Sequence, residues 1–248
     1  MTRVLPAQAW LACLVLLSAW HSPSALAADT PPALSKPPTT PVVTDDGVYT
    51  TSTTQLHAIW TSAELEAKIA EYHYLIRQDA VSGPIVVKWT STGKTASVTR
   101  TGLSLLPGKS YYFGVKAKNR AGLWSAVGYS NGITVDTTPP TGTITIDGGA
   151  ALTNTTAVTL TLAATDDSGT VSQMQCSNDN VTYSTPEPYA TTKSWTLTSG
   201  EGTKTVYAKF QDPAGSWSSA VSDTIILDTT APQVVITYPH NGMLLGSS

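Results

Sequence analysis

Cysteine is almost absent from this sequence. The 248 residues contain only two, Cys13 and Cys176, and Cys13 lies in the apolar N-terminal run. A lone cysteine in the rest of the chain can form neither an internal disulfide nor a cysteine-rich zinc site. The sequence therefore predicts a fold held by its hydrophobic core. In that core Cys176 would be a small apolar filler, with a reactive thiol as the alternative.

A basic surplus and further long hydrophobic runs are also missing. The formal net charge is −3 with neutral histidines, and Lys and Arg form no cluster. Nucleic-acid binding needs a concentrated basic footprint, so the sequence argues against nucleic acid as a partner. No later apolar stretch approaches the roughly 18 residues of a membrane-spanning helix. We therefore expect no membrane span after the N-terminal run.

Catalytic motifs are missing as well. No G-x-S-x-G nucleophile motif occurs, and His57, His73 and His240 are isolated in strand-like or terminal contexts. The glutamates within residues 64–71 lie in a charge-mixed segment, which indicates a solvated face rather than a glycosidase pair. The sequence predicts no catalysis.

The N-terminus has the pattern of a secretory signal peptide. Arg3 gives a basic start, an apolar run of about a dozen residues follows, and Ala25 and Ala27 form an A-x-A cleavage site. Cys13 lies too near the start of that run for a lipoprotein cleavage site. We expect cleavage after Ala27 and an exported protein, secreted or held at the cell surface.

The rest of the chain has the composition of a β protein. Threonine is abundant, with 40 residues, and the chain contains only two phenylalanines. Residues 28–40 are rich in Pro and Thr and predict an extended linker. Beyond them, short alternating apolar runs are separated by Gly, Pro, Asn and Asp. This pattern predicts an all-β fold of tandem antiparallel β-sandwiches.

One segment is ambiguous. Residues 62–68 fit a helical turn or a bulging loop, with a short helix as the alternative. A strand is expected from Ile69, because Tyr72, Tyr74 and Ile76 then lie on one face.

A tandem repeat is the strongest signal. Three landmarks recur at spacings of 91–93 residues, which predicts sandwich-sized repeat units. They are "VKAK" (115–118) with "VYAK" (206–209), "AGLWS" (121–125) with "AGSWS" (214–218), and "DTTPP" (136–140) with "DTTAP" (228–232).

The repeat sets the predicted domain organisation. The boundaries are a signal peptide at 1–27, a linker at 28–40, a first domain at 41–136, a Pro-rich seam at 137–140, a second domain at 141–228, and a second seam with the opening strand of a truncated third domain at 229–248. Proline fixes φ and lacks the N–H donor, so the first seam should restrict the relative orientation of the domains. We expect the chain to be the front portion of a longer array.

The first unit resembles the fibronectin type III family. The segment "LLPGKSYYFGVKAKNRAGLWS" (105–125) carries the likeness. Tyr111 stands where that fold has its tyrosine corner, and Trp60 where it has its core tryptophan. The resemblance covers roughly residues 41–136 and implies a β-sandwich. Residues 61–70 depart from it, because they are longer and more helix-prone than the usual loop.

The second unit resembles the bacterial Ig-like repeats of large exported surface proteins. It has no clear tyrosine corner. The shared features, in order, are "SND" (177–179), Tyr183, "GEGTK" (200–204), "VYAK" (206–209) and "DPAGS" (212–216). Members of that family are typically spacer or adhesion modules, and the resemblance implies such a role here.

Carboxylates at turns are the candidate metal ligands. Asp166, Asp167, Asp179 and Asp212 fall at predicted turns of the second unit, and Asp136 and Asp228 lie at the seams. Ca²⁺ takes several oxygen ligands in flexible geometry, so junction carboxylates can bind it and stiffen an array. No D-x-D-x-D-G loop occurs, and turn hydrogen bonds to the local backbone are the alternative. Calcium is the one candidate cofactor.

Tryptophans are the candidate ligand contacts. Trp89 and Trp195 could present ring faces to sugars. Trp124 and Trp217 lie at equivalent positions after the Ala-Gly turn of each unit, which indicates a shared structural role in packing.

These observations predict an exported, non-catalytic β-sandwich array. Its task would be that of a spacer or adhesion module in contact with a protein or matrix at the cell surface. The alternative is an accessory, carbohydrate-binding region of a secreted polysaccharide-degrading enzyme, with a polysaccharide as the partner.

Overall fold

A computed structural model describes residues 36–63 and 68–235 of the chain. The signal peptide, most of the linker, residues 64–67 of the ambiguous segment and most of the expected third-unit strand lie outside the described residues. Residues 233–235, where that strand is expected to begin, are described and are not in a strand. Within them, seventeen strands and one short 3₁₀ helix are present. The predicted all-β fold is confirmed.

Two sheets face each other in the first sandwich. Its strands in the described residues are β1 (Val42–Asp45), β2 (Tyr49–Thr50), β3 (Leu56–Thr61), β4 (Ile69–Gln78), β5 (Ile85–Gly93), β6 (Ser97–Arg100), β7 (Ser110–Asn119), β8 (Gly128–Tyr129) and β9 (Ile133–Val135). One sheet has the order β1-β3-β6. The other has the order β2-β9-β7-β4-β5, with β8 also paired to β7. All pairs are antiparallel except β2 with β9.

The second sandwich repeats this plan. Its elements are β10 (Thr141–Ile146), a 3₁₀ helix (Asp147–Gly149), β11 (Leu152–Thr153), β12 (Ala157–Thr165), β13 (Gln173–Ser177), β14 (Glu187–Pro188), β15 (Thr192–Thr196), β16 (Gly202–Gln211) and β17 (Val221–Leu227). The sheets have the orders β10-β12-β15 and β11-β17-β16-β13-β14. The short β11 pairs in parallel with β17, as β2 does with β9. The two sandwiches thus share one topology, except that β8 is a separate strand only in the first.

Alternation along the strands builds a separate core in each sandwich. In β4 the predicted strand begins at Ile69, and Tyr72, Tyr74 and Ile76 all join the first core as expected. The second core includes Phe210 and contains residues from both of its sheets. Period-two alternation places one face of each strand inward, which is why the apolar pattern of the sequence marks the strands.

The tyrosine corner expected of a fibronectin type III-like sandwich is present. Tyr111 is buried at the start of β7, and its hydroxyl accepts a hydrogen bond of 2.8 Å from the Leu106 N–H. This bond ties the crossover from β6 to β7. Together with the strand order, it gives residues 42–135 a fibronectin type III-like fold. The assignment of the second unit to bacterial Ig-like repeats stays a prediction.

We predict that Tyr111→Phe lowers the free energy of unfolding by about 1–3 kcal/mol, because the Leu106 N–H loses its acceptor while the ring packing is kept. Urea denaturation of the purified protein measures the change. Tyr112→Phe is the matched control, since Tyr112 lies on the other face of β7 and is half-buried. Its effect should stay within about 0.5 kcal/mol, and equal losses in both variants would contradict a role for the corner.

The turns after β7 and β16 are built alike. Ser125 Oγ accepts the Ala117 N–H at 3.0 Å, and Ser218 Oγ accepts the Phe210 N–H at 3.0 Å. The backbone of Trp124 pairs with Lys118, as the backbone of Trp217 pairs with Gln211. The sequence repeat is therefore a repeat of backbone geometry.

Candidate metal centre

The seam between the sandwiches begins with a fixed turn. Asp136 follows β9 directly, and its Oδ1 accepts the Thr138 N–H at 3.1 Å. Asp228 forms the same turn after β17, with Thr230 at 3.0 Å. Side-chain bonds of this kind are typical of Asp at turns. The seam residues 137–140 thus leave the first sandwich in a defined direction.

The loop after β12 brings two more carboxylates to this seam. Oxygen atoms of Asp136, Asp166 and Asp167 lie within 4.8 Å of one another. Asp136 is buried, with 6% of its surface exposed, whereas Asp166 is half-buried and Asp167 is exposed. Asp166 is oriented by its own turn, since its Oδ1 accepts the Ser168 N–H at 2.9 Å. Residues 30 positions apart in sequence therefore form one acidic cluster.

In two members of this cluster, Asp136 and Asp166, one carboxylate oxygen is buried without a partner in the described residues. Oδ2 of Asp136, of Asp166 and of the buried Asp212 has no hydrogen-bond partner within residues 36–63 and 68–235. Burial raises the pKa of Asp136 above its ordinary value, and the charges of Asp166, Asp167 and Asp212 raise it further. Asp212 thus belongs to the electrostatic surroundings of the cluster. Uncompensated buried carboxylate oxygens are costly, and a cation would satisfy them.

A cavity of about 220 Å³ opens beside the cluster, lined by residues from both sandwiches. Tyr49 of β2 lines it, and its hydroxyl donates to the Ser168 carbonyl oxygen at 3.4 Å. Asp136 and Asp167 line the same cavity. Carboxylate and carbonyl oxygens suit hard cations such as Ca²⁺ and Mg²⁺. The cluster therefore offers the oxygen donors that a cation site needs.

Sequence reasoning named three of these residues as ligands and placed Asp136 only at a seam. The structure brings Asp166 and Asp167 together with Asp136, and Asp212 lies close enough for its charge to act on Asp136. Asp228 lies at the other seam and is exposed. Asp136, which sequence analysis placed only at a seam, is the buried member of the cluster.

We predict that Asp136→Asn stabilises the protein at pH 7 in buffer free of divalent cations. A carboxyl whose pKa is raised by folding costs stability when ionised. That cost is full above the folded pKa and absent below the ordinary value of 3.8. The variant should therefore unfold at higher urea concentration at pH 7, and the difference should vanish below about pH 3.8. A variant less stable than the wild type at pH 7 would contradict this assignment.

One lysine of the first sandwich contacts two of the tryptophans that the sequence singled out. The Lys116 ammonium lies 4.5 Å from the Trp89 ring centroid and 4.4 Å from that of Trp124. His73 contacts the Trp124 ring edge to face, with 4.7 Å between centroids. Trp89 is 37% exposed. Cation–π contacts therefore take up one face of each ring, and sequence reasoning missed Lys116.

The other predicted structural and ligand residues are packed. Trp60 is buried in the first core, with its ring edge-on to Tyr72 at 5.9 Å. Trp195 is half-buried against the second core, and its Nε1–H donates to Asn178 Oδ1 at 2.8 Å. Trp217 is half-buried beyond β16.

Two further sequence interpretations can be compared with the structure. Cys176 is fully buried in β13, and burial raises its thiol pKa to about 11, which confirms the apolar filler. Asp179 forms the local turn hydrogen bonds that were the alternative to metal binding, because its carboxylate accepts the Val181 and Thr182 N–H groups. These bonds hold its pKa at about 2.

Comparison with known proteins gives structural likeness alone. No family model matches the chain, and no curated protein matches it. The chain is similar to the fibronectin(III)-like modules of Clostridium thermocellum CbhA, with a TM-score of 0.46, 15% identity, and coverage of 79% of this chain and 100% of that one. It is also similar to the FN1-FN3 domains of chicken CNTN1, with a TM-score of 0.42, 13% identity, and coverage of 76% and 68%.

Within the part of the chain that the structure describes, no helix has the length and hydrophobicity needed to cross a bilayer.

Proposed function

We propose that this protein is an exported, non-catalytic β-sandwich array that acts as a spacer or adhesion module at the cell surface. The observation that carries the proposal is the repetition of one complete sandwich, including its exit turn, within one chain. Repeated modules in series set a distance and present surfaces, and each contacts only its neighbours. The signal-peptide pattern of residues 1–27 supports export.

The short seam supports a spacer role. Four residues, 137–140, separate Asp136 from the first residue of β10, Thr141. Two of them are prolines, and Pro140 is buried. Fixed φ angles and the Asp136 turn leave the seam little freedom. A stiff seam would keep the end-to-end length of the two sandwiches constant, whereas a flexible linker would let it vary.

The proposal is tested by locating the chain and its binding partner. Cells producing the full chain should release or display a form that begins at residue 28, detected by N-terminal sequencing and by protease treatment of intact cells. The immobilised protein should retain surface or matrix proteins, which cross-linking would identify. A chain that stays inside the cell with residues 1–27 attached would contradict the proposal.

The second candidate function is contact with a polysaccharide, favoured by the exposure of Trp89. Its free ring face could stack on a sugar. Sedimentation with insoluble polysaccharides, compared between wild type and Trp89→Ala, distinguishes the two functions. Binding that Trp89→Ala abolishes supports the accessory carbohydrate role, whereas binding to a protein partner that persists in this variant supports adhesion.

A further inference from the structure

We propose that the junction between the two sandwiches is a calcium site, with Asp136, Asp166 and Asp167 as its ligands and Asp212 as a fourth acidic group. The site joins the last residue of the first unit to a loop of the second. This inference goes beyond the spacer role and does not depend on it, because cation binding can be measured whatever the array contacts.

The carboxylates of Asp136 and Asp166 are held in a fixed orientation. In Asp136 and Asp166, Oδ1 accepts a turn hydrogen bond, which fixes the side chain. Oδ2 of each is left without a partner in the described chain, although more than nine-tenths of Asp136 is buried. Oxygen atoms of these two residues and of Asp167 lie within 4.8 Å of one another. Three carboxylates held this close repel one another unless a cation lies between them.

The first sandwich has an asparagine, Asn119, at the position that Asp212 occupies in the second. Asp212 and Asn119 occupy the same turn position: Asp212 Oδ1 accepts the Ser216 N–H, as Asn119 Oδ1 accepts the Leu123 N–H. In the first unit, Asn119 Nδ2 donates to the Lys36 carbonyl oxygen at 3.1 Å. Asp212 cannot donate there, and its Oδ2 has no partner within the described residues. The Asn119 amide is satisfied by donating its own N–H. The Asp212 carboxylate has no hydrogen to donate, so a cation would satisfy its free oxygen.

The donor atoms of the cluster indicate the kind of cation. All four side chains offer hard oxygen donors, and neither histidine nor cysteine belongs to the cluster that the described residues form. Ca²⁺ accepts six to eight oxygens in irregular geometry, including water, whereas Mg²⁺ demands a near-ideal octahedron. Asp167 is exposed and lines an open cavity of about 220 Å³, so water can complete the shell. An irregular, partly hydrated, acidic site fits Ca²⁺, with a dissociation constant on the order of 10⁻⁴–10⁻³ M.

Cation binding would fix the angle between the sandwiches. Across the junction, the described residues supply the Tyr49–Ser168 hydrogen bond and the two linings of the cavity. A calcium ion would add bonds from Asp136 on one side to Asp166 and Asp167 on the other. The seam would then be stiff when calcium is present and looser when it is removed.

The test uses the chain from residue 28 onward, stripped of metal with chelator and titrated with CaCl₂ in a calorimeter. Binding of about one ion per chain is expected in the range given above. In 5 mM CaCl₂ the melting temperature should rise by roughly 5 °C over the value in chelator. Asp136→Asn and Asp167→Asn keep the size of the side chain and should each weaken binding at least tenfold.

Asp228→Asn is the matched control, because Asp228 forms the same turn as Asp136 but lies at the other seam. It should bind calcium as the wild type does. An unchanged melting temperature in calcium and chelator, or equal binding by Asp136→Asn and wild type, would overturn the site. A response to MgCl₂ equal to that to CaCl₂ would overturn the assignment of calcium. None of these results bears on export or partner binding, which test the proposed function separately.

Discussion

Phe210→Ala is expected to lower the free energy of unfolding of the second sandwich by about 3–5 kcal/mol. Phe210 lies in β16, is fully buried, and meets the Tyr189 ring edge to face with 5.9 Å between centroids. Truncation removes this contact and leaves a cavity between the two sheets, which the surrounding core fills only partially. The second sandwich carries few large aromatic core residues, so little else can fill the space.

Native-state hydrogen exchange measures this loss one sandwich at a time. Protection should fall for amides of β13, β16 and β17 and stay unchanged in β4 and β7, because the two cores share no residues. Phe113→Ala, at a fully buried position of β7, should produce the reverse pattern. Equal loss of protection in both sandwiches from either variant would contradict separate cores.

Gly128→Ala is expected to destabilise the first sandwich by about 3 kcal/mol or more, at the upper end of the cost of overpacking. A Cβ at Gly128 would lie 1.8 Å from the carbonyl oxygen of Pro41 and 2.9 Å from its carbonyl carbon. Both are backbone atoms directly before β1, so relief requires β1 and β8 to separate. The glycine is needed here for close approach of two chain segments.

Thermal unfolding of Gly128→Ala against Gly102→Ala tests this claim. Gly102 has φ +71° with open space around its Cβ position, so its substitution should cost only about 1–2 kcal/mol through backbone strain. A Gly128 variant no less stable than the Gly102 variant would show that β1 can move aside without loss.

Local features of the molecule followed from the sequence. The alternation of Tyr72, Tyr74 and Ile76 located β4, and the resemblance of residues 105–125 to fibronectin type III located the corner at Tyr111. Both features depend on residues close in the chain. The turn roles of Asp136 and Asp228 could be expected for the same reason.

Contacts between segments that are distant in the chain could not be predicted from the sequence. Asp136 contacts Asp166 and Asp167 only because the seam sets one sandwich against the other, and no local pattern encodes that angle. Trp89 reaches Lys116 across two strand pairings, and register shifts between β4 and β5 hide this alignment from a count of residues.

The second sandwich also contains a tyrosine hydroxyl that bonds to backbone, which the sequence did not reveal. The Tyr189 hydroxyl accepts the Ala164 N–H at 3.0 Å and donates to the Leu162 carbonyl oxygen at 3.4 Å, which ties the loop before β15 to β12. Its ring packs on Phe210. Sequence analysis singled out Tyr183 as the repeat's aromatic, because Tyr189 follows a proline-rich turn with no strand pattern of its own.

We infer that the seam holds the two sandwiches in one orientation. ¹⁵N relaxation of the chain from residue 28 onward, in 5 mM CaCl₂, measures this most directly, because it reports the tumbling of each sandwich separately. We predict that amides of β1–β9 and of β10–β17 fit a single rotational diffusion tensor, as one rigid particle does. Two different correlation times, each that of a particle half the size, would contradict the account.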